Sequence, residues 1–140
     1  MNLVVNNDDR LFLRLPAEPQ NVALVRQAVG SEAVALGMQG RGIEDLKTVI
    51  SEACANVVLH AYPGDADQRP LEVELAREGD ALEAIVRDCG QGIQPRRAEV
   101  KPPSLRLGLL LIGAMASCLQ LHSARGRGTE LLVRFPLSAA

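Results

Sequence analysis

Three polar residues recur at intervals of four in the stretch "SEACANVVLHAYPGD": Glu52, Asn56 and His60. Residues four apart on a helix lie one turn from each other, so Glu52 and Asn56 place a carboxylate and an amide oxygen side by side. Such oxygens suit Mg²⁺, which keeps several waters and completes its shell with substrate phosphates, and the carboxylate could hold water or accept a hydroxyl proton. Taken alone, the spacing fits a solvated helix edge or a buried Glu to Asn hydrogen bond better.

A second polar site is predicted at "DCGQGI". The apolar alternation of the preceding strand places Asp88 on the inward face at the strand end. A carboxylate there can accept a hydrogen bond from an exocyclic amine, which adenine offers and the carbonyl edge of guanine does not. Gly90 and Gly92 give the backbone freedom to approach a ligand closely. An ordinary strand-ending turn is the alternative, and a dinucleotide fingerprint is rejected because the third glycine is missing and "IQPRR" starts no helix.

Two further segments carry chemistry suited to phosphate. Gly108 lies near the start of the apolar helix predicted at "LGLLLIGAMASC", whose N-terminus offers free backbone N–H groups. The long Gly- and Pro-rich loop before it carries basic side chains that could close over a phosphate: Arg96, Arg97, Lys101 and Arg106. The "GRGTE" stretch adds Gly126, Gly128 and an inward-facing Thr129. A solvated loop and a tight turn between strands are the respective alternatives.

Hydrophobic periodicity predicts the elements that position these residues. Alternation in "RLFLRLP" indicates a half-buried strand ended by Pro16, and helical spacing indicates one helix from Asn21 to about Leu36. A second helix starts near Gly42, carries Glu52 and Asn56, and ends at "YPGD". The runs in "LEVELAREGDALEAIVRD" predict an antiparallel hairpin that turns at "EGD", and "LQLHS" and "TELLVRFPL" predict two later strands.

These strands are apolar on one side only. Helices should therefore cover one face of the sheet and leave the other face solvated. The predicted fold class is α/β, a two-layer sandwich with a mixed, mostly antiparallel sheet and helices on one face. No internal repeat or linker divides the sequence, so one domain over residues 1–140 is expected.

Composition excludes several classes of function. The chain has 140 residues, 47% hydrophobic and 23% charged, as in ordinary globular proteins. Only 2% are aromatic and the net charge is -2, which argues against base stacking and a basic nucleic-acid face. No secretory signal or membrane span is predicted, so a cytoplasmic location is expected. Cys54, Cys89 and Cys118 are interpreted as reduced core thiols.

Taken in order along the chain, the four segments resemble the GHKL ATP-binding superfamily, and most closely its anti-sigma-factor serine-protein kinases of the RsbW type. The stretch "LPAEPQNVALVRQAV" resembles the first helix of that family and "DLKTVISEACANVVLHAYP" its N-box. "VRDCGQGI" resembles the G1 box, and "LGLLLIGAMAS" with "RGRGTEL" resembles the G2 region. The resemblance covers nearly the whole chain and implies the Bergerat ATP-binding fold.

The resemblance implies roles for individual residues. Asn56 would bind Mg²⁺, Glu52 would be the catalytic base or water organiser, and Asp88 would read the adenine amine. The other residues implied in ATP binding are Gly90, Gly92, Lys101, Arg106, Gly108, Gly128 and Thr129. Arg26 falls where the first helix of the family meets protein partners, and His60 is interpreted as structural or partly exposed. One departure is Arg106, which stands where the family usually has another glycine.

Three functions are weighed. The resemblance favours an ATP-dependent serine/threonine kinase that phosphorylates an anti-anti-sigma partner of the STAS type and sequesters a sigma factor, with a homodimer expected. The alternative is a non-catalytic nucleotide-binding partner-switch module, which the Arg106 departure favours. The third is the catalytic domain of a histidine kinase, which would need a phosphoacceptor on a separate chain. Replacing Glu52 would abolish phosphoryl transfer only in a kinase.

Overall fold

The computed structural model describes residues 2–7, 9–62, 69–90, 118–124 and 128–137. Its elements are β1 (Leu3–Asn7), β2 (Arg10–Pro16), α1 (Pro19–Ala35), α2 (Arg41–Asn56), β3 (Pro70–Glu78), β4 (Ala81–Asp88), β5 (Cys118–Ala124) and β6 (Gly128–Pro136). A single π-helical turn, Val57–Ala61, continues α2 and is called the π turn below.

The strands form one six-stranded sheet in the order β1-β2-β3-β4-β6-β5. Every pairing among these described strands is antiparallel. Helix α1 packs over β2 and β3, whereas α2 packs over β4 and β6. The two-layer α/β sandwich predicted from one-sided strands is therefore confirmed, and α2 lies above the strands that carry Asp88 and Thr129.

The helices bury the apolar stripes that the sequence predicts. Pro19 begins α1, where its missing N–H would have had no helical partner. The buried residues on the predicted stripes are Val25, Val29, Ala33, Leu46, Val49, Ile50, Ala53 and Val57. Since these side chains cover the same face of the sheet, they form one core with the inward residues of the strands.

Strand alternation also follows the prediction. The inward residues Leu11, Leu13, Leu15, Leu71, Val73, Leu75, Leu82, Ala84, Val86, Leu131, Val133 and Phe135 are all buried. The β3–β4 hairpin turns at Gly79 and Asp80, within the "EGD" stretch. Because β4 keeps strict alternation to its last residue, Asp88 is turned inward with the core residues.

The opposite face of the sheet is solvated and its charges are paired. Arg87 lies at its centre and contacts Glu72 at 3.7 Å, Glu74 at 2.5 Å and Glu130 at 2.7 Å on the neighbouring strands. Arg134 also pairs with Glu83. These cross-strand pairs replace apolar contacts on the wet face and help to fix the register of the sheet.

Two features differ from the sequence prediction. The first strand, β1, was not predicted, because its residues are exposed on both faces and show no apolar alternation. The second helix does not run as an α-helix to "YPGD", because α2 ends at Asn56 and the π turn follows. Hydrogen bonds in a π turn span five residues instead of four, so His60 leaves the line that Glu52 and Asn56 define. His60 is partly buried.

Candidate functional site

Asp88 is the buried acidic residue at the end of β4, with 9% of its surface exposed. The backbone N–H of Gly90 donates a 2.9 Å hydrogen bond to its Oδ1 atom. Burial raises the pKa of Asp88, while hydrogen bonds from the backbone of Gly90 and Thr129 oppose that rise. The carboxylate is thus held by fixed backbone donors at the edge of the core, where it can accept one more hydrogen bond from a ligand.

Gly128 and Thr129 begin β6 directly beside Asp88. Thr129 pairs with Asp88 in the register of β4 and β6. Gly128 has a positive φ of 86°, and a Cβ atom at this position would overlap the carbonyl oxygen of Asp88. Glycine is therefore required here because two strand ends touch, a reason that the turn pattern in "GRGTE" does not reveal.

Replacing Gly128 by alanine is expected to destabilise the fold by about 3 kcal/mol or more, because a strained backbone angle is combined with an overlap against backbone atoms. Gly79→Ala is the matched control: Gly79 also has a positive φ, 64°, but a Cβ there meets nothing within 4 Å. That variant should lose only about 1 kcal/mol. Urea unfolding measures both values, and equal losses would contradict the proposed crowding at Asp88.

Gly90 is also a point of close approach. A Cβ atom on Gly90 would overlap the backbone carbonyl of Ala61, the last residue of the π turn. The segment after β4 therefore lies directly against the end of the helical segment. This contact places the end of the π turn, which continues α2, beside the residues that follow Asp88.

Glu52 and Asn56 lie on the last turn of α2, which packs over β4 and β6. Both side chains are partly buried, while the neighbouring Ala53 and Cys54 are buried towards the sheet. The α-helical geometry up to Asn56 places the carboxylate and the amide on one edge. The predicted acidic and amide pair thus lies on α2, and the π turn that continues α2 ends against Gly90.

The Glu52 carboxylate and the Asn56 amide suit Mg²⁺ only as part of its ligand set. Among the described residues, no group of three or more His, Cys, Asp or Glu side chains could hold a metal ion by itself. One amide oxygen with one nearby carboxylate suits an ion that keeps several waters and takes its other ligands from a nucleotide. Asn56 would hold such an ion, and the ion would neutralise phosphate charge.

Four of the predicted ATP-binding residues lie outside the described parts of the chain: Gly92, Lys101, Arg106 and Gly108. The same holds for the predicted basic loop, the apolar helix at "LGLLLIGAMASC" and Gly126. Their roles stay predictions.

Arg26 lies on α1, the helix that packs over β2 and β3. Its guanidinium donates a 3.1 Å hydrogen bond to Ser51 Oγ on α2, and the Ser51 hydroxyl donates to the carbonyl oxygen of Lys47 at 2.7 Å. A surface groove of about 440 Å³ between α1 and α2 is lined by Ala23, Arg26, Gln27, Gly30, Ser31, Val34, Ile43 and Lys47. Arg26 thus belongs to an open interhelical surface.

The cysteine prediction is right for one residue and wrong for another. Cys54 is buried, and burial raises the pKa of its thiol to about 12, which makes it unreactive. Cys89 is exposed, because it follows the last residue of β4 and the inward alternation of the strand no longer applies. The side chain of Cys118 lies outside what the structure describes.

Tyr62 lies next to the candidate site and was not predicted by sequence reasoning. Its hydroxyl accepts a 2.8 Å hydrogen bond from the backbone N–H of Cys89, next to Asp88, and donates a 2.5 Å bond to the carbonyl oxygen of Pro70. One signal was available in the sequence. Tyr62 is the single tyrosine of a chain that is only 2% aromatic, and it directly follows the segment that carries Asn56.

Residues 15–135 match the histidine kinase-like ATPase domain family. The match covers most of the chain, so the chain belongs to this family. Curated relatives at 33% and 36% identity bear the name serine-protein kinase RsbW. A serine-protein kinase RsbW of Listeria monocytogenes is 33% identical over 130 residues, covering 84% of this chain and 82% of the relative.

Other comparisons agree. The serine-protein kinase RsbW of Bacillus licheniformis is 36% identical over 98 residues, which are 69% of this chain and 61% of the relative. This chain thus spans less than two thirds of that relative. The solved structure of the RsbU and RsbW domains of a Mycobacterium tuberculosis protein matches this chain with 26% identity and a TM-score of 0.73. The match covers 94% of this chain and 33% of the Mycobacterium tuberculosis chain.

More distant proteins are similar to this chain in fold alone. A histidine kinase domain of a blue-light activated kinase from Erythrobacter litoralis matches with a TM-score of 0.59 at 16% identity, covering 88% of this chain and 62% of that one. Among the described residues, no helix is long and apolar enough to cross a membrane.

Proposed function

We propose that the protein is an ATP-dependent serine/threonine kinase and anti-sigma factor that phosphorylates an anti-anti-sigma partner of the STAS type. In the same proposal, it also binds and sequesters a sigma factor. The curated relatives bear the name serine-protein kinase RsbW, and the family is a histidine kinase-like ATPase domain. Activity, substrate and partners of the whole protein are carried over from these names and from the site.

The observation that carries the proposal is the buried carboxylate of Asp88, near the end of the π turn that continues α2. An acidic side chain is seldom buried unless it is hydrogen-bonded, and here the donors are backbone N–H groups that leave it free to accept from a ligand. Adenine presents an exocyclic amine that donates to such an acceptor. Guanine presents a carbonyl oxygen at the same place, which would face the carboxylate unfavourably.

Phosphoryl transfer would take place at the other end of the nucleotide. Catalysis of this reaction is mostly positioning and charge neutralisation, with little covalent chemistry for the protein. Asn56 would hold Mg²⁺ beside the phosphates, and Glu52 would accept the proton of the attacking serine or threonine hydroxyl. Lys101 and Arg106, with the backbone at Gly108, would contact the phosphates, while Gly90, Gly92, Gly128 and Thr129 would shape the adenine end.

Arg26 is proposed as a contact for the protein partners. It lies on the open surface between α1 and α2, where the groove combines the cations Arg26 and Lys47 with the apolar side chains of Val34 and Ile43. Leu24 and Val34 on α1 are large exposed apolar residues, 44% and 57% accessible. A mixed cationic and apolar surface of this kind suits an acidic, partly apolar protein partner.

The remaining parts of the proposal concern assembly. Residues 1–140 would act as a single domain in the cytoplasm, where ATP is available. The expected homodimer has a suitable surface in β1, an edge strand whose Leu3, Val4 and Val5 are exposed. An apolar edge strand is a ready site for pairing with a second copy. Direct nucleic-acid and membrane binding are not part of the proposed function.

Calorimetric titration tests the proposal. Mg-ATP is expected to bind saturably to the wild-type protein, and Mg-GTP to give no measurable heat of binding, because only adenine donates to Asp88. Mg-ADP serves as the control for binding that depends on the γ-phosphate. A folded protein that bound neither ATP nor ADP would refute the kinase. ATP binding without phosphate transfer to any STAS-type partner would instead favour the non-catalytic partner-switch module.

A further inference from the structure

Tyr62 connects three separate segments near Asp88. It follows the π turn, and its hydroxyl lies between the start of β3 and the end of β4. It donates to the carbonyl oxygen of Pro70, eight residues away, and accepts from the N–H of Cys89, 27 residues away. The hydroxyl therefore joins the helical layer to two neighbouring strand ends.

The hydroxyl stays protonated at neutral pH, as the bond that it donates to Pro70 requires. Burial raises the pKa of Tyr62 to about 12, and the hydrogen bond from the backbone of Cys89 lowers it in part. The charged or titratable groups that act on the hydroxyl are Asp88, Cys89 and Arg14. A neutral phenol can donate one hydrogen bond and accept another at once.

A second contact runs alongside the first. The carbonyl of Ala61 lies so close to Gly90 that no Cβ fits between them. The hydrogen bond from Cys89 to Tyr62 and the close approach of Gly90 to Ala61 therefore restrict the backbone at two adjacent residues. Gly90 in turn donates its N–H to Asp88 Oδ1 at 2.9 Å. A shift of the backbone at residues 89 and 90 must therefore change the orientation of the Asp88 carboxylate.

We propose that Tyr62 is a positioning residue for Asp88: its hydroxyl fixes the backbone after β4 so that the carboxylate meets the adenine amine. The inference rests on the proposed nucleotide site. It adds a coupling between the adenine end of that site, at Asp88, and the phosphate end, at Glu52 and Asn56. The coupling runs through Tyr62, which directly follows the π turn that continues α2.

This role differs from simple stabilisation. Cys89 is exposed, so its N–H can bind water when the tyrosine hydroxyl is removed. The loss of stability should then be small. The loss of orientation remains, because water does not hold the strand end at a fixed distance from Tyr62. The effect is expected in ligand selectivity more than in unfolding.

The test compares Tyr62→Phe with Ser51→Ala. The hydroxyl of Ser51 has the same bonding pattern, since it accepts from Arg26 and donates to a backbone carbonyl, but it lies at the α1–α2 surface. The probes are Mg-ATP and Mg-ITP, which differ in the amine that Asp88 would read. The ratio of their affinities is expected to fall about three- to ten-fold in Tyr62→Phe, the value of one hydrogen bond. It should not change in Ser51→Ala.

A second measurement needs no nucleotide. Since the chain has one tyrosine, 3-fluorotyrosine labels Tyr62 alone. The ¹⁹F resonance of the ligand-free protein is expected to shift as Asp88 titrates, and this shift should disappear in Asp88→Asn. Titration of the Asp88 carboxyl, followed by its ¹³Cγ resonance, should also move in Tyr62→Phe.

The outcomes separate the inference from the proposed function. A wild-type protein that binds no ATP refutes the nucleotide site, and the two NMR titrations then decide by themselves whether Tyr62 acts on Asp88. An Asp88 titration and an ATP to ITP ratio that are unchanged in Tyr62→Phe overturn the inference. A lower melting temperature with unchanged selectivity also overturns it, because that is the result of a structural role alone.

Discussion

Asp88→Asn is expected to weaken Mg-ATP binding about 100-fold and to strengthen Mg-ITP binding, which would reverse the base preference. The backbone N–H groups of Gly90 and Thr129 both donate to Asp88, and in the variant only the asparagine oxygen can accept from them, so its NH₂ group is turned towards the base. There it meets the adenine amine, donor against donor, whereas the 6-carbonyl of hypoxanthine can accept from it. An unpaired buried donor costs enough to account for a change of this size.

The matched control is Asp80→Asn, which removes a carboxylate from the exposed turn at the other end of the β3–β4 hairpin. It should bind both nucleotides like the wild type. Titration calorimetry with the two nucleotides gives the four dissociation constants. A loss of ATP binding in Asp88→Asn with no gain for ITP would contradict direct reading of the base, although it would still place Asp88 in the site.

The loss of ATP binding expected in Asp88→Asn is not a loss of folded protein. The pKa of Asp88 is raised in the folded state, so the ionised carboxylate does not stabilise the fold at neutral pH. A carboxyl with a raised pKa binds its proton more tightly in the folded state than in the unfolded state. Its contribution to stability is present at low pH and is lost as pH rises from the ordinary aspartate pKa through the raised one. Asp88→Asn should lack this decline and remain folded at neutral pH, as urea unfolding at several pH values would measure.

The inward position of Asp88 was predictable from the sequence. Alternation has a period of two, so the buried Leu82, Ala84 and Val86 determine the face of Asp88 without any knowledge of the rest of the fold. The stripe of α2 was predictable for the same kind of reason, since local periodicity fixes which residues face the sheet. Glu52 and Asn56 share an edge by spacing alone.

Contacts between distant segments were not predictable in this way. Nothing local to Tyr62 indicates that its hydroxyl meets Cys89, 27 residues later, and nothing local to Gly128 indicates that it touches Asp88. The π turn has the same origin, because an α-helix and a π-helical turn bury similar residues and tertiary contacts decide between them. β1 was missed because its partner β2, rather than a buried face, holds it in the sheet.

The resemblance to a family compensates for this limit only in part. It relates Glu52 and Asn56 to Asp88, although Asp88 lies on another element and no sequence period connects it to them. It cannot say why Gly90 must be glycine in this chain. The structure supplies a reason, the overlap with the carbonyl of Ala61, and thereby links the predicted base-reading residue to the helix that carries the predicted catalytic residue.

Glu52→Gln is expected to lower the rate of phosphate transfer about 100- to 10,000-fold while Mg-ATP binds within about three-fold of the wild type, since a general base acts on the transition state. Glutamine keeps the size and a hydrogen-bonding oxygen but cannot take the hydroxyl proton. The measurement is transfer of ³²P from [γ-³²P]ATP to a purified STAS-type protein, with nucleotide affinity measured separately. Partner binding, followed by gel filtration, should persist.

Two controls make this result specific to Glu52. Glu44→Gln removes a carboxylate from the same helix. The Glu44 side chain is 65% exposed and, among the contacts that the described residues show, it pairs only with Lys47. This variant should transfer phosphate normally. Arg26→Ala should give the opposite pattern, with ATP binding retained and partner binding weakened. Full transfer activity in Glu52→Gln would remove Glu52 from the catalytic role. Only Glu52, one turn from Asn56, is placed to act on the phosphate acceptor. Equal losses of transfer rate in Glu52→Gln and Glu44→Gln would therefore mean that the charge of α2, and not a catalytic base, causes the effect.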